Sequence, residues 1–387
     1  MATIVTTITS GVQYSGIWTM QQVNSAIAAG TWPVQGAGNL YAWGNGQFGQ
    51  LALGNTTKYS SPKQVGTLTN WIQISTSYNF VLAIQGNKTM WGWGNNSSGQ
   101  LGLGNKTNYS SPKQIGSSTW LSATGGTSFA IAIKTDGTLW STGNNAAGQL
   151  GLNNLTYYSS FVQVGALATW KKVGAGYNNS YALKNDGTLW SWGQNNYGQL
   201  GLGNVTYYSS PKQVGALTNW SNIAVGSYDV LALKTDGTLW SWGLNSNGQL
   251  GLGNRTNYSS PKQVGSLTTW SVITADWQSS SLAIKTDGTL WSWGNNNYGQ
   301  LGLGNVTLYS SPKQVGSLTN WLNITSGQYH VLAAKTDGTL WVWGYNNYGQ
   351  LGLGSTINYS SPKQVGALTV WNKVYANGNY DSFAIHN

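Results

Sequence analysis

One motif recurs seven times along the chain: Trp-Gly, a short Asn-rich stretch, then Gly-Gln-Leu. Its Trp falls at Trp43, Trp93, Trp192, Trp242, Trp293 and Trp343, with Thr142 standing in once, so the steps are 50, 49, 50, 50, 51 and 50 residues. A period of this size marks a solenoid, propeller or repeat array, in which each unit buries its faces only against its neighbours.

Each unit has an internal grammar, seen clearly from Trp220 to Gln263. A Trp-led run and a variable segment end in Leu231-Ala232-Leu233-Lys234; Thr235-Asp236-Gly237-Thr238 follows, then Leu239-Trp240-Ser241-Trp242-Gly243. Asp-Gly between two apolar, alternating runs predicts a tight hairpin, since Gly adopts positive φ without steric cost. The pair recurs at Asp136-Gly137, Asp186-Gly187, Asp287-Gly288 and Asp337-Gly338. An Asn/Gly loop from Asn245 to Gly248 comes next, then Gln249 to Gly253, and finally Ser260-Pro261-Lys262-Gln263. Proline cannot donate to a central ladder, so this last run predicts an edge strand. Each unit thus predicts four short strands and no helix.

Seven such units predict an all-β fold, a seven-bladed β-propeller of four-stranded blades. The two ends of the repeat region are complementary: Trp371 to Ile385 supply the first half of a unit, and Asn39 to Trp71 the second half. Pairing these half-blades would close the ring. The chain therefore divides into a non-repeat segment, residues 1–38, and a propeller, residues 39–387.

The run Leu-Trp-Ser-Trp-Gly-Gln-Asn-Asn-Tyr-Gly-Gln-Leu-Gly, residues 189–201, resembles the signature of the regulator of chromosome condensation repeat family, and it recurs in phase over about residues 39–387. The resemblance implies the same seven-bladed propeller. Family members include a nucleotide exchange factor for a small GTPase, ubiquitin ligases and photoreceptors, so the fold does not settle function. An exchange-factor-like regulator or scaffold is one alternative; uniform blades, no long insertion and no basic tail stand against it.

Composition narrows the field. Of 22 Trp, all but Trp18, Trp32 and Trp277 stand in repeat register, which predicts that they fill the space between blades. The net charge is +10, yet the lysines recur in repeat register, in six units at Lys63, Lys113, Lys212, Lys262, Lys313 and Lys363, and in five at Lys134, Lys184, Lys234, Lys285 and Lys335. They are spread around a ring, and Arg255 is the only Arg, so no specific nucleic-acid site is expected. A diffuse, salt-sensitive attraction to polyanions stays open. There is no Cys, no Glu and only His330 and His386, and five of eight Asp belong to the Asp-Gly turns. No spacing matches a zinc site, phosphate loop or nucleophile elbow, so no catalytic site, metal or cofactor is expected. Asn-x-Thr triplets such as Asn105 to Thr107, Asn204 to Thr206 and Asn254 to Thr256 read as turns copied with the repeat.

The repeats can be aligned with one another. Three residues before the Ala of the second strand stand Phe80, Phe129, Asn179, Asp229, Ser280, His330 and Asp381. In the resembled family this position is commonly His, matched here by His330 alone. The residues just before it also vary and include Tyr78, Asn79, Tyr177, Tyr228, Trp277, Gln278, Tyr329 and Tyr380. Equivalent positions in a closed propeller form a circle on one face, so these segments are expected around a central mouth. Polar and aromatic residues there resemble a recognition surface, because Tyr and Trp give contact area at small entropic cost. Drift in exposed loops is the other reading, and glycan stacking by Trp277 and Tyr329 is a third. Asp229, His330 and Asp381 come from three different blades, which argues against acid-base or metal chemistry.

Residues 1–38 contain no Lys, Arg, Asp or Glu. They lack the charged start of a signal peptide and any apolar run long enough to span a membrane; Met20 to Ala29 reads as a short helix. The stretch from Tyr14 to Pro33 is similar to terminal segments of structural proteins of marine tailed phages. That resemblance implies a non-enzymatic virion structural or surface protein, as tail fibre, baseplate or capsid-displayed adhesin, made in the host cytoplasm and carried on an extracellular particle. In that setting Ile17, Trp18, Met20, Val23, Ile27 and Trp32 would dock to other virion proteins, and the mouth would meet a glycan or protein of the host surface.

Overall fold

The computed structural model describes residues 38–369, 371–376, 378 and 380–386. The expected helix at Met20 to Ala29 and the six docking residues lie outside them. Twenty-eight strands form seven four-stranded antiparallel sheets, with no helix among the described residues. In a representative blade the order is Trp220–Val225, Asp229–Lys234, Leu239–Gly243 and Tyr258–Gln263, each strand beside the next in sequence. The Trp-led strands are innermost and together line a channel. The proline-bearing strand is outermost, as expected, and its pairing is interrupted by a register shift between Ser241 and Gly243. Such a bulge at an edge discourages further strand addition.

One blade is shared by the two ends of the repeat region. Its order is Tyr59–Gln64, Asn39–Gly44, Asp381–His386, Trp371–Tyr375, with Leu40 opposite Ile385 and Gly44 opposite Asp381. A closed ring results, so every inner strand has neighbours on both sides.

The hydrophobic core lies between blades. One cluster joins Tyr181, Leu183, Leu189 and Leu200 of one blade to Trp220, Ile223, Val230 and Trp242 of the next. The Trp of each Trp-Gly pair locks that junction: Trp242 Nε1 donates to the Gln199 carbonyl of the preceding blade at 2.8 Å, and the same bond joins Trp192 to Gln149, Trp293 to Gln249, Trp343 to Gln300, Trp43 to Gln350 and Trp93 to Gln50. The repeated Gly-Gln-Leu is thus the acceptor half of an inter-blade clasp. Gly201, at φ +73, passes so close that an added Cβ would stand 2.8 Å from Trp242 Nε1.

The one irregular blade compensates internally. Where Thr142 replaces Trp, its hydroxyl lies within hydrogen-bond distance of the Gly99 and Tyr158 carbonyls, at 3.0 and 2.9 Å, with one proton to donate, and Phe161, at the position held by Pro in the other units, packs against Gly102 and Trp120. The missing indole is replaced from the outer strand.

The repeat lysines have structural partners as well. Lys234 Nζ lies 3.5 Å from the Trp240 ring centre and 5.2 Å from that of Trp220, while Lys262 Nζ lies 5.5 Å from the Tyr258 ring. Such contacts contribute roughly 0.5–2 kcal/mol each. The Asp-Gly turn behaves as its sequence predicts: Gly237 has φ +77, and Asp236 Oδ1 accepts from the Thr238 amide and hydroxyl. The Asn-x-Thr triplets are also turn elements, with Asn204 Oδ1 accepting the Thr206 amide.

Candidate recognition face

Strand pairing decides which loops share a face. Asp229 lies opposite Gly243, and Gly243 opposite Tyr258, so the loop before the second strand and the long loop after the third open on the same side of the ring. Side chains from the two loop sets meet there. Tyr228 packs on Tyr177 of the preceding blade at 5.4 Å and on Tyr197 of that blade's long loop at 5.2 Å. A second group joins Tyr298 to Tyr329 and Tyr345, each at 4.8 Å, then Tyr345 to Tyr380 at 5.3 Å and Tyr380 to Tyr348 at 4.7 Å, nearly parallel. Lys58 Nζ lies 5.3 Å above Tyr348.

Tyr177, Tyr197 and Tyr298 are exposed. Burial within the cluster, reinforced by neighbouring phenols, pushes Tyr228 up to about 12, so its hydroxyl stays protonated. The aromatic arc is lopsided. The positions of Tyr197 and Tyr298 hold Ser98 and Ala147 in the two blades between Trp71 and Gln163.

Sequence reasoning singled out Tyr177, Tyr228, Tyr329 and Tyr380 but passed over Tyr197, Tyr298, Tyr345 and Tyr348. These four stand inside the Trp-Gly to Gly-Gln-Leu framework. Aligning the residue just before Gly-Gln-Leu would have found three of them: the position holds Phe48, Ser98, Ala147, Tyr197, Asn247, Tyr298 and Tyr348, whereas Tyr345 stands directly after Trp-Gly.

The mouth itself differs from the expected open ring. Trp277 packs on Tyr78 at 5.7 Å, although their blades lie on opposite sides of the ring, and Trp277 is only 4% exposed. Its backbone is held by Ser227 Oγ, which donates to the Trp277 carbonyl at 2.7 Å. The 51-residue step supplies one extra residue in this loop, and Ser279 takes φ +71 beside it. Gln278 is half-buried, with its carbonyl accepting from Asn295 Nδ2. Asn79 is buried and its carbonyl accepts the Asn95 amide. Below the Trp277–Tyr78 contact the inner strands line an open cavity of 310 Å³.

The polar residues at the start of the second strand do not reach the surface either. Asn179, Asp229, Ser280, His330 and Asp381 are all buried, and all but Ser280 are tucked between their own blade and the next. Asn179 Nδ2 donates to the Ser227 carbonyl of the next blade at 3.2 Å. His330 Nε2 meets Ser382 Oγ of the next blade at 2.9 Å; since Ser382 Oγ donates to the Gln350 carbonyl, Nε2 carries the proton. Burial lowers the His330 pKa to about 3, which keeps the ring neutral. Burial also raises the carboxyls of Asp229 and Asp381 well above the usual range.

Asp276, which sequence reasoning did not single out, accepts from the Gln278 and Ser280 amides and the Ser280 hydroxyl, yet burial still raises it to about 7. Asn179 and His330 thus latch their blades to the next, while Asp276 and Ser280 tie up their own loop. No group of three or more His, Cys, Asp or Glu able to hold a metal occurs among the described residues, and no helix among them is long and apolar enough to cross a membrane.

Comparison with known proteins fits this geometry. The RCC1-like domain matches residues 21–279, two thirds of the sequence, and the regulator of chromosome condensation (RCC1) repeat matches residues 287–334 and 337–379. The chain belongs to the RCC1-like domain family. Among solved structures, this RCC1-like propeller is similar to human WBSCR16, at 22% identity and a TM-score of 0.80 over 91% of this chain and 99% of the other. It is also similar to Prp20p from Saccharomyces cerevisiae, characterised for its binding to Gsp1p and histones, at 20% identity and a TM-score of 0.80 over 91% and 92%. Yeast RCC1 (Prp20) bound to Kap60 gives 19% identity and a TM-score of 0.81 over 99% and 97%. At these identities the likeness concerns the fold alone. No curated protein matches the sequence.

Proposed function

We propose that this RCC1-like propeller is a non-enzymatic recognition protein, displayed with its tyrosine arc outward and carried through residues 1–38. The observation that supports this reading is two-sidedness. Gly44 pairs with Asp381 at the arc face, whereas Asn39 pairs with His386 and Gly38 bridges to Trp71 at the far end of the same blade. The segment before Asn39 therefore joins the disc on the face away from the tyrosines. An anchor on one face and a rigid aromatic surface on the other suit a displayed adhesin, whose weak contacts gain avidity when many copies share a particle.

The particle reading, a tailed-phage virion with a host surface glycan or protein as the target, draws on the resemblance of Tyr14 to Pro33. It is tested by deleting residues 1–38, which removes none of the twenty-eight strands. The truncated protein should fold and bind the target while failing to join particles, and normal incorporation would overturn the docking role. For the arc, labelled full-length protein should bind host cells, and Tyr329→Ala with Tyr380→Ala should abolish the binding; undiminished binding would place recognition elsewhere. Protein binding by Prp20p gives the exchange-factor alternative its test: acceleration of nucleotide release from a small GTPase would favour it over the adhesin.

A further inference from the structure

The charges of the chain divide between the two faces of the disc. Five of the eight Asp, Asp136, Asp186, Asp236, Asp287 and Asp337, are exposed in the turns between second and third strands, at the blade ends away from the tyrosines. The other three, Asp229, Asp276 and Asp381, are buried. With no Glu in the sequence, the tyrosine face carries no exposed side-chain carboxylate. Its long loops do carry cations. Lys58, Lys106 and Arg255 are exposed, each shortly before an outer strand whose first residue, Tyr59, Tyr109 or Tyr258, lies opposite the glycine of a Trp-Gly pair.

One of these cations completes the aromatic arc. Tyr298, Tyr329, Tyr345, Tyr380 and Tyr348 run in contact across three successive blades, and Lys58 ends the row, 5.3 Å from the Tyr348 ring. Arg255 stands in the blade before that of Tyr298, and Lys106 in the blade after that of Lys58. Burial raises the phenol pKa values of Tyr329, Tyr345 and Tyr380, so these hydroxyls stay neutral and add no negative charge.

Neutral rings, spaced cations and no carboxylate together select a ligand class. A sugar ring matches a tyrosine, offering a C–H face to the phenyl ring and hydroxyls to the polar tip and to water. Sparse positive charge suits sparse negative charge. A nucleic acid carries a phosphate on every residue, and its binders line the whole track with cations; here three cations serve five blades. Resting on the reading of this face as a displayed recognition surface, we propose that the arc binds an acidic polysaccharide, with sugar rings on Tyr298 and Tyr348 and a sugar carboxylate at Lys58.

An array of carboxylated, sulfated and neutral oligosaccharides, with single-stranded DNA as a further arm, tests this when probed with the labelled full-length chain at low and high salt. Carboxylated members should bind about tenfold more tightly than neutral members of the same backbone, as one charge-assisted hydrogen bond would give, and salt should shrink the difference. Lys58→Gln should remove that preference and leave the weak binding of neutral sugars, with an unchanged melting curve because Lys58 stands exposed in a loop. Tyr348→Phe, which keeps the ring, should retain binding of both kinds, and Tyr348→Ala should lose both. Lys171→Gln, an equal loss of charge at the exposed far end of an inner strand, should change neither. Equal binding of neutral and carboxylated members, tighter binding of sulfated members or DNA, no bound carboxylated member, or an equal loss in Lys171→Gln overturns the proposal.

Host cells separate the polysaccharide from the adhesin reading. Periodate oxidation of the cell-surface sugars and Lys58→Gln should each weaken cell binding about tenfold. Full binding to oxidised cells, still abolished by Tyr329→Ala with Tyr380→Ala, would place the ligand on a host protein, overturning the polysaccharide and keeping the adhesin. Array binding by a chain that ignores host cells would do the reverse.

Discussion

Two rings of inter-blade contacts, one built on the third strand and one on the second, are made in opposite ways. The third-strand ring is repetitive: each Trp of Trp-Gly donates to the preceding blade's Gln carbonyl, and the one blade without that Trp restores the packing with Phe161. The second-strand ring varies around the propeller. Phe80 and Phe129 fill it with rings, Asn179 and His330 hydrogen-bond across it, and Asp229 and Asp381 bury carboxyl oxygens that have no partner. One geometry is solved once and copied; the other is met with five different residue types. Repetition marks the contacts that every junction needs in the same form, and the variable ring shows how much freedom remains once those contacts hold.

The sharpest way to break the contrast is to crowd the copied ring. Gly251→Ala adds a Cβ 2.8 Å from Trp293 Nε1 at φ +72, so backbone strain and overpacking combine. A loss of about 2–4 kcal/mol is expected in urea unfolding. A smaller value would mean that the indole can retreat.

The irregular blade offers a cycle. Thr142→Trp alone should cost about 1–3 kcal/mol, because Phe161 already occupies the indole's place. Adding Phe161→Pro should recover much of that loss, and independent effects would show that the two positions do not compensate.

The variable ring should respond in the opposite direction. Asp381 and Asp229 have raised native pKa values, whereas an unfolded Asp titrates near 3.9. From about pH 4 upward, to the raised value, the native chain holds protons that the unfolded chain has released, so stability falls as pH rises. Asp276 contributes a slope of the same sign that ends near pH 7. Asp381→Asn, copying Asn179, should therefore stabilise the protein by about 1–2 kcal/mol at pH 8 and flatten the dependence between pH 5 and pH 8. Destabilisation at pH 8 would show that the carboxyl has a partner the amide cannot replace.

The smallest effect belongs to the surface arc. Tyr177→Ser should change stability by less than about 1 kcal/mol while weakening target binding.

Fold and site were legible in the sequence to different degrees. Trp-Gly, Asp-Gly and Ser-Pro each encode a local requirement: an inter-blade donor, a positive φ and an edge. Their order yields the blade, and the half-repeats yield closure. The tyrosines before the second strand were visible because they vary between units. Tyr197, Tyr298, Tyr345 and Tyr348 were hidden in a framework that looks constant, since their contacts depend on two loops arriving at one face. The mouth residues were misjudged for a related reason. A position at a strand end reads as exposed until the next blade is packed over it, as happens to Asn179, His330 and Asp381.

The sequence by itself determined the number of blades, the strands within each, the turns and the ring, because all of these follow from local rules repeated at a fixed period. Only the tertiary structure decided which variable residues face outward, that Trp277 crosses the axis to Tyr78, and that Gly38 and Asn39 lie at the end of their blade away from the tyrosines. Those outcomes depend on distances between blades far apart in the chain, and such distances exist only after the ring has closed.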